Sequence, residues 1–144
     1  MDLANKKLNI LIADDEKGWL NFHKENLNLF LKNYDVSIYE FQSAKEAYKF
    51  ANETDVIFDL IISDLQMENI GDNYAGEWLV ENLKLQKSCQ YAKYIIISSA
   101  FEIDYIAEKL NVDFINKRLY YNSPFMLKLK LQEMFNNLEI TDEF

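Results

Sequence analysis

The sequence predicts an α/β fold, a single doubly wound parallel sheet of five strands with five helices. Three observations predict it. Short apolar runs alternate with segments of helical spacing. The runs are continuously apolar rather than alternating, as expected of strands buried on both faces by crossover helices. Acidic, hydroxyl and lysine residues stand at the C-terminal ends of these runs, where an open parallel sheet binds its ligands.

Residues 8–13 form the first strand, apolar except for Asn9 and ending in Asp14-Asp15. A helix over 16–32 follows, with Trp19, Leu20, Leu27, Phe30 and Leu31 at helical spacing and Asp15 placed as its N-cap. Val36, Ile38 and Phe41 mark a second strand over 36–41. Ser43-Ala44-Lys45-Glu46 has the form of a capping box and opens a helix to about Thr54. The third strand, 59–63, ends in Asp64. A polar stretch over 68–75 precedes a helix over 76–87. The fourth strand, 93–98, ends in Ser99-Ala100; a helix over 102–110 and a fifth strand over 112–116, ending in Lys117, follow. Ser123-Pro124 starts the last helix, with Ser as cap and Pro at its first position, and Leu127, Leu131, Met134 and Leu138 form its buried stripe. Residues 139–144 read as a frayed tail, leaving one domain over 1–144 with its core at about 7–138.

Composition excludes several classes. With 49% hydrophobic residues, 3 Gly and 1 Pro, the chain is neither disordered nor fibrous. A net charge of −9 opposes a phosphate backbone, so the domain is not expected to bind nucleic acid. No apolar run approaches the ~20 residues of a bilayer span, and no signal-peptide core follows the N-terminus. The lone Cys89 forms no internal disulfide. A cytoplasmic location is expected.

If the runs are neighbouring parallel strands, Asp14, Asp15, Asp64, Ser99 and Lys117 meet at one sheet edge. Three carboxylates that close require either a shared proton or a cation among them. An all-oxygen donor set favours Mg²⁺, and no His or Cys is near enough in sequence to make a zinc site. A carboxylate can also attack phosphorus and carry the phosphoryl group as an aspartyl phosphate. The cation, Lys117 and the Ser99 hydroxyl could then each balance one of its oxygens.

This order of motifs resembles the receiver domain of two-component response regulators over essentially the whole chain. Ile12-Ala13-Asp14-Asp15-Glu16 is similar to the acidic pair of that family. Ile62-Ser63-Asp64-Leu65-Gln66-Met67 is similar to its phosphoacceptor motif, and Ile97-Ser98-Ser99-Ala100-Phe101 to its hydroxyl-alanine motif. Asp113-Phe114-Ile115-Asn116-Lys117 is similar to its last strand. The resemblance implies the flavodoxin-like strand order 2-1-3-4-5. It implies that Asp64 accepts a phosphoryl group from a histidine kinase or a histidine phosphotransfer protein. It further implies that Asp15 binds Mg²⁺ directly, Asp14 through water, and the Gln66 backbone carbonyl as a further ligand. Ser99 and Phe114 take the switch positions, and Gln66 and Phe101 the positions that set phosphate lifetime. An aromatic at 101 is expected to exclude the hydrolytic water. The implied role is a switch that catalyses its own phosphorylation and dephosphorylation, not a metabolic enzyme, in a stand-alone or excised receiver. Tyr105, Phe114, Tyr120, Tyr121 and Phe125 make an aromatic surface where the fourth helix, fifth strand and last helix meet, the face such domains offer to an output partner or a second copy.

The chain departs from the family pattern in three places. Arg118 follows Lys117 where the family has proline on a cis bond; since a non-proline cis bond costs roughly 3 kcal/mol, a trans bond and a reshaped loop are expected. Glu68 replaces another frequent proline. The stretch 68–76 is longer than usual. The first departure motivates an alternative, a degenerate receiver that acts as a phosphorylation-independent interaction module. A Mg²⁺-dependent phosphohydrolase would need a second acid shortly after Asp64, and Leu65, Gln66 and Met67 do not supply one. His23 as a phosphorylated histidine would require an all-helical bundle, which the strand runs oppose; a surface or partly buried structural role is expected. Cys89 is expected to be an unreactive loop or core residue.

Overall fold

The computed structural model describes residues 6–135. Strands β1 (Lys7–Ala13), β2 (Asp35–Phe41), β3 (Leu60–Ser63), β4 (Lys93–Ser98) and β5 (Asp113–Asn116) form one parallel sheet in the order β2-β1-β3-β4-β5. The expected architecture and strand order are both present. Alternate residues of β1 to β4 feed two separate cores, and β5 adds Ile115 to one of them. Leu8, Ile10, Ile12, Leu60, Ile62, Ile95, Ile97 and Ile115 pack against α1 (Lys17–Phe30) and α6 (Phe125–Met134). Leu11, Ile61, Tyr94 and Ile96 face α2 (Ala44–Glu53), α3 (Ala75–Leu83) and α4 (Ile103–Leu110). The inner strands β1, β3 and β4 are therefore apolar on both faces. Edge strand β2 is only partly buried along its length, with Val36 and Ile38 toward one core and Tyr39 and Phe41 toward the other.

The described residues contain six helices, not five. The additional one, α5 (Lys117–Asn122), starts directly at the end of β5. It has no apolar periodicity to reveal it, and it exists because the Asn116 side chain accepts from the N–H groups of Arg118 and Leu119. All peptide bonds among the described residues are trans, Lys117–Arg118 included.

Local expectations divide. Ser43 caps α2 by accepting from the Glu46 N–H at 3.1 Å. Asp15 does not cap α1: Glu16 holds the N-cap position, and it is Asp14 Oδ1 that accepts the Glu16 N–H. Helix α3 ends at Leu83, short of Lys87, because Leu85, Gln86, Cys89 and Ala92 donate to carbonyls three positions back. In that turn Ser88 donates to the Ala51 carbonyl. At α6 the Ser123 hydroxyl is not the cap; its backbone carbonyl accepts from Met126, and Pro124 is the N-cap. Leu127 and Leu131 are fully buried and Met134 partly so, while Leu138 and the tail 139–144 lie outside the described residues. No helix among the described residues is long and apolar enough to cross a membrane.

Candidate functional site

Parallel pairing sets β1 and β3 so that Ala13 lies beside Ser63, and each strand therefore releases its acids at the same level. The Asp64 N–H donates to the Ala13 carbonyl at 2.9 Å, extending the pairing one residue beyond the strands. Across β4, Ser63 is level with Ile96 and Ile96 with Phe114, so Lys117 follows two residues beyond the level of Asp64 and its long side chain spans the difference. Carboxylate oxygens of Asp14, Asp15 and Asp64 lie within 4.8 Å of one another. Asp14 and Asp64 are buried; Asp15 is exposed.

Lys117 stands between the buried pair. Its ammonium donates to Asp64 Oδ2 at 2.9 Å and lies 2.9 Å from Asp14 Oδ2. It is 5% exposed, so little water screens these contacts. Burial pushes the Asp14 carboxyl up to about 6; the Asp64 charge adds to the rise, while the Glu16 N–H and Lys117 oppose it. For Lys117, burial favours loss of the proton, but the Asp64 and Asp14 charges outweigh it and the net direction is up.

The remaining predicted residues surround this pair. Ser99 is exposed at the end of β4, while its neighbour Ser98 is buried and accepts from the Ala100 N–H. Gln66 is exposed beside Asp64, and Phe114 is partly exposed on the outer face of β5. Phe101 is 97% exposed and shields nothing in this conformation. His23 is not a surface residue: it is 1% exposed, and its Nδ1 has no hydrogen-bond partner. Burial, with the Lys117 charge as a second cause, lowers its pKa to about 3. Cys89 is fully buried.

Three contributors escaped sequence reading. Gly76 packs its backbone on β3: a Cβ there would meet the Asp64 carbonyl oxygen at 1.9 Å and Leu65 Cα at 2.7 Å. The carboxylate of Glu68 crosses to α2, accepting from the N–H groups of Ala44 at 2.8 Å and Lys45 at 2.9 Å. Burial raises the Glu68 pKa, but these N–H groups outweigh it and the net direction is down. The third is Trp19, whose ring centroid lies 4.9 Å from Lys117 Nζ. Its only sequence signal was an aromatic residue in the first turn after the acidic pair.

The donor set suits a hard divalent cation. It is all oxygen, and Asp14 Oδ2 is a buried acceptor with no aligned hydrogen bond. Asp14, Asp15 and Asp64 fit such an ion.

No curated protein matches the chain. Solved structures do. RcsB, a response regulator of Salmonella typhimurium, is 19% identical with a TM-score of 0.71; the match covers 96% of this chain but only 64% of RcsB. The phosphorylated cyanobacterial phytochrome response regulator RcpA is 17% identical with a TM-score of 0.68, covering 92% of this chain and 95% of RcpA. The Mn²⁺-bound form of response regulator Rcp1 is 15% identical with a TM-score of 0.68, covering 88% of this chain and 92% of Rcp1. These likenesses concern the fold. The family model described as "Response regulator receiver domain" matches residues 10–121, most of the chain and every residue of the site. The chain therefore belongs to the response regulator receiver domain family of two-component signalling.

Proposed function

We propose that Asp64 takes a phosphoryl group from a phosphohistidine of a kinase or phosphotransfer protein, in a Mg²⁺-dependent reaction. The observation that carries this reading is the buried Lys117 ammonium held between Asp14 and Asp64 at the strand ends. An Asp64 carboxylate oxygen attacks phosphorus, the P–N bond breaks, and the imidazole leaves with the electron pair. Lys117 balances one phosphoryl oxygen, and the Ser99 hydroxyl, free to turn at an exposed position, donates to another. Asp14, Asp15 and Asp64, with the Gln66 carbonyl, would hold the Mg²⁺, which supplies charge neutralisation for the transferring group. The phosphorylated RcpA and Mn²⁺-bound Rcp1 give the same fold a phosphoryl group and a divalent cation, and support carrying both to this chain.

Attack of water on phosphorus then breaks the P–O bond, releasing inorganic phosphate and restoring the carboxylate. Since Phe101 is in solvent, its expected water exclusion requires the turn that carries it to close after phosphorylation. Between those events Ser99 moves toward the new charge and Phe114 turns inward. The surface changed would be the one bearing Tyr105, Phe114 and Phe125, exposed here and suited to an output partner or a second copy. Tyr120 does not join that surface, because it is fully buried.

Beryllofluoride with Mg²⁺, followed by a small phosphodonor, tests the reading. Wild type should bind the first and be labelled by the second, while Asp64→Asn should do neither. A wild type indifferent to both would leave an interaction module without phosphorylation.

A further inference from the structure

We infer that Trp19 is a positioning residue for Lys117, its indole face holding the ammonium in the site when its carboxylate partners are engaged elsewhere. The inference rests on the phosphoacceptor reading for its consequence, but on the geometry of the chain for its substance.

Lys117 begins α5, and the Asn116 cap fixes only the backbone around it. The side chain has four rotatable bonds beyond that point. Its contacts at the far end are the two carboxylates at 2.9 Å and the Trp19 ring at 4.9 Å. The carboxylates are the same groups that fit a divalent cation. A doubly charged ion among Asp14, Asp15 and Asp64 repels an ammonium 2.9 Å from two of them and competes for their oxygens. The indole face does not compete. It attracts the cation through its quadrupole and holds no charge that the ion could capture. With Lys117 almost wholly buried, such a contact is stronger than at a surface.

Trp19 is itself held from several sides. Its ring meets Phe22 edge-on at 5.5 Å, lies near-parallel to Tyr120 at 6.2 Å, and is flanked by His23 at 5.9 Å and Tyr121 at 6.0 Å. Tyr120 is anchored by the Asn26 side chain, which donates to its hydroxyl at 3.1 Å. Helices α1 and α5 thus bring a cluster of packed aromatic rings to the lysine. Trp19 does not touch the reacting atoms; it acts through Lys117.

A Trp78→Phe background leaves Trp19 as the only tryptophan and makes its emission the readout. Without metal or phosphodonor, adding Lys117→Met should shift the Trp19 emission; an unchanged spectrum would overturn the contact whatever the fate of phosphorylation. In the wild-type background, labelling by a small phosphodonor with Mg²⁺ should slow roughly tenfold in Trp19→Leu and recover to within about threefold of wild type in Trp19→Phe, which keeps an aromatic face. Equal slowing in both variants, or none in Trp19→Leu, would refute the positioning role. If Trp19→Leu fails to fold, the Phe variant and the emission test decide. A wild type that cannot be labelled counts against the phosphoacceptor reading, and the metal-free emission then judges the contact alone.

Discussion

Asp14 and His23 are both buried and titrate far from their ordinary ranges, yet only one could be foreseen. The sequence places Asp14 at a strand end beside other acids, so a cation partner followed from elementary electrostatics. Its neighbour here is Lys117, which the sequence set at that edge as a partner for a phosphoryl oxygen rather than for Asp14. His23 is buried by ring packing against Trp19 and Tyr120 across two helices, and such contacts leave no mark in a one-dimensional pattern. The consequence is a pH dependence. Its folded pKa of about 3 lies below the ordinary value of 6.5. Between those values the unfolded chain binds a proton that the folded chain does not, so stability is full above 6.5 and falls as pH drops through the window. The slope approaches about 1.4 kcal/mol per pH unit. In urea titrations at pH 7.5 and pH 5, His23→Gln should be the less acid-sensitive protein, with a gap on the order of 2 kcal/mol smaller than that of wild type. Equal pH sensitivity would mean that His23 is protonated in the folded state.

At the scale of elements, the strands and α2 were legible because apolar runs and a capping box are local signals. Helix α5 was not, since its start depends on one asparagine side chain and its length is below two full turns. The loop between β3 and α3 was recognised as long and polar, but not as a clasp. Glu68 ties its first residues to α2, and Tyr74 donates to Glu102 at the start of α4. Gly71, at φ +58°, makes the turn between them. Replacing Glu68 with Ala should remove two caps from α2 and cost about 1 kcal/mol, read as a lower urea midpoint. Gly76→Ala should be far more damaging. Its Cβ would displace the Asp64 backbone itself, so a loss of about 3 kcal/mol or more is expected, together with loss of beryllofluoride binding. A stable, beryllofluoride-binding Gly76→Ala would show that α3 can shift without moving the phosphoacceptor.

For the molecule as a whole, parallel order and register turn residues far apart in sequence into one site. Asp14, Asp64 and Lys117 come together because β1, β3 and β5 all end at one edge of the sheet. That convergence was readable from the strand ends once the family resemblance supplied the strand order. The aromatic support around Lys117 was not, because it depends on how α1 and α5 pack against each other. The most direct measurement of the central claim is the intact mass of wild type and Asp64→Asn after incubation with a small phosphodonor and Mg²⁺. Wild type should gain one phosphoryl group that hydroxylamine removes, as an acyl phosphate requires, with no gain in Asp64→Asn or when Mg²⁺ is chelated. An unmodified wild type, or equal labelling of the Asn variant, would contradict the account.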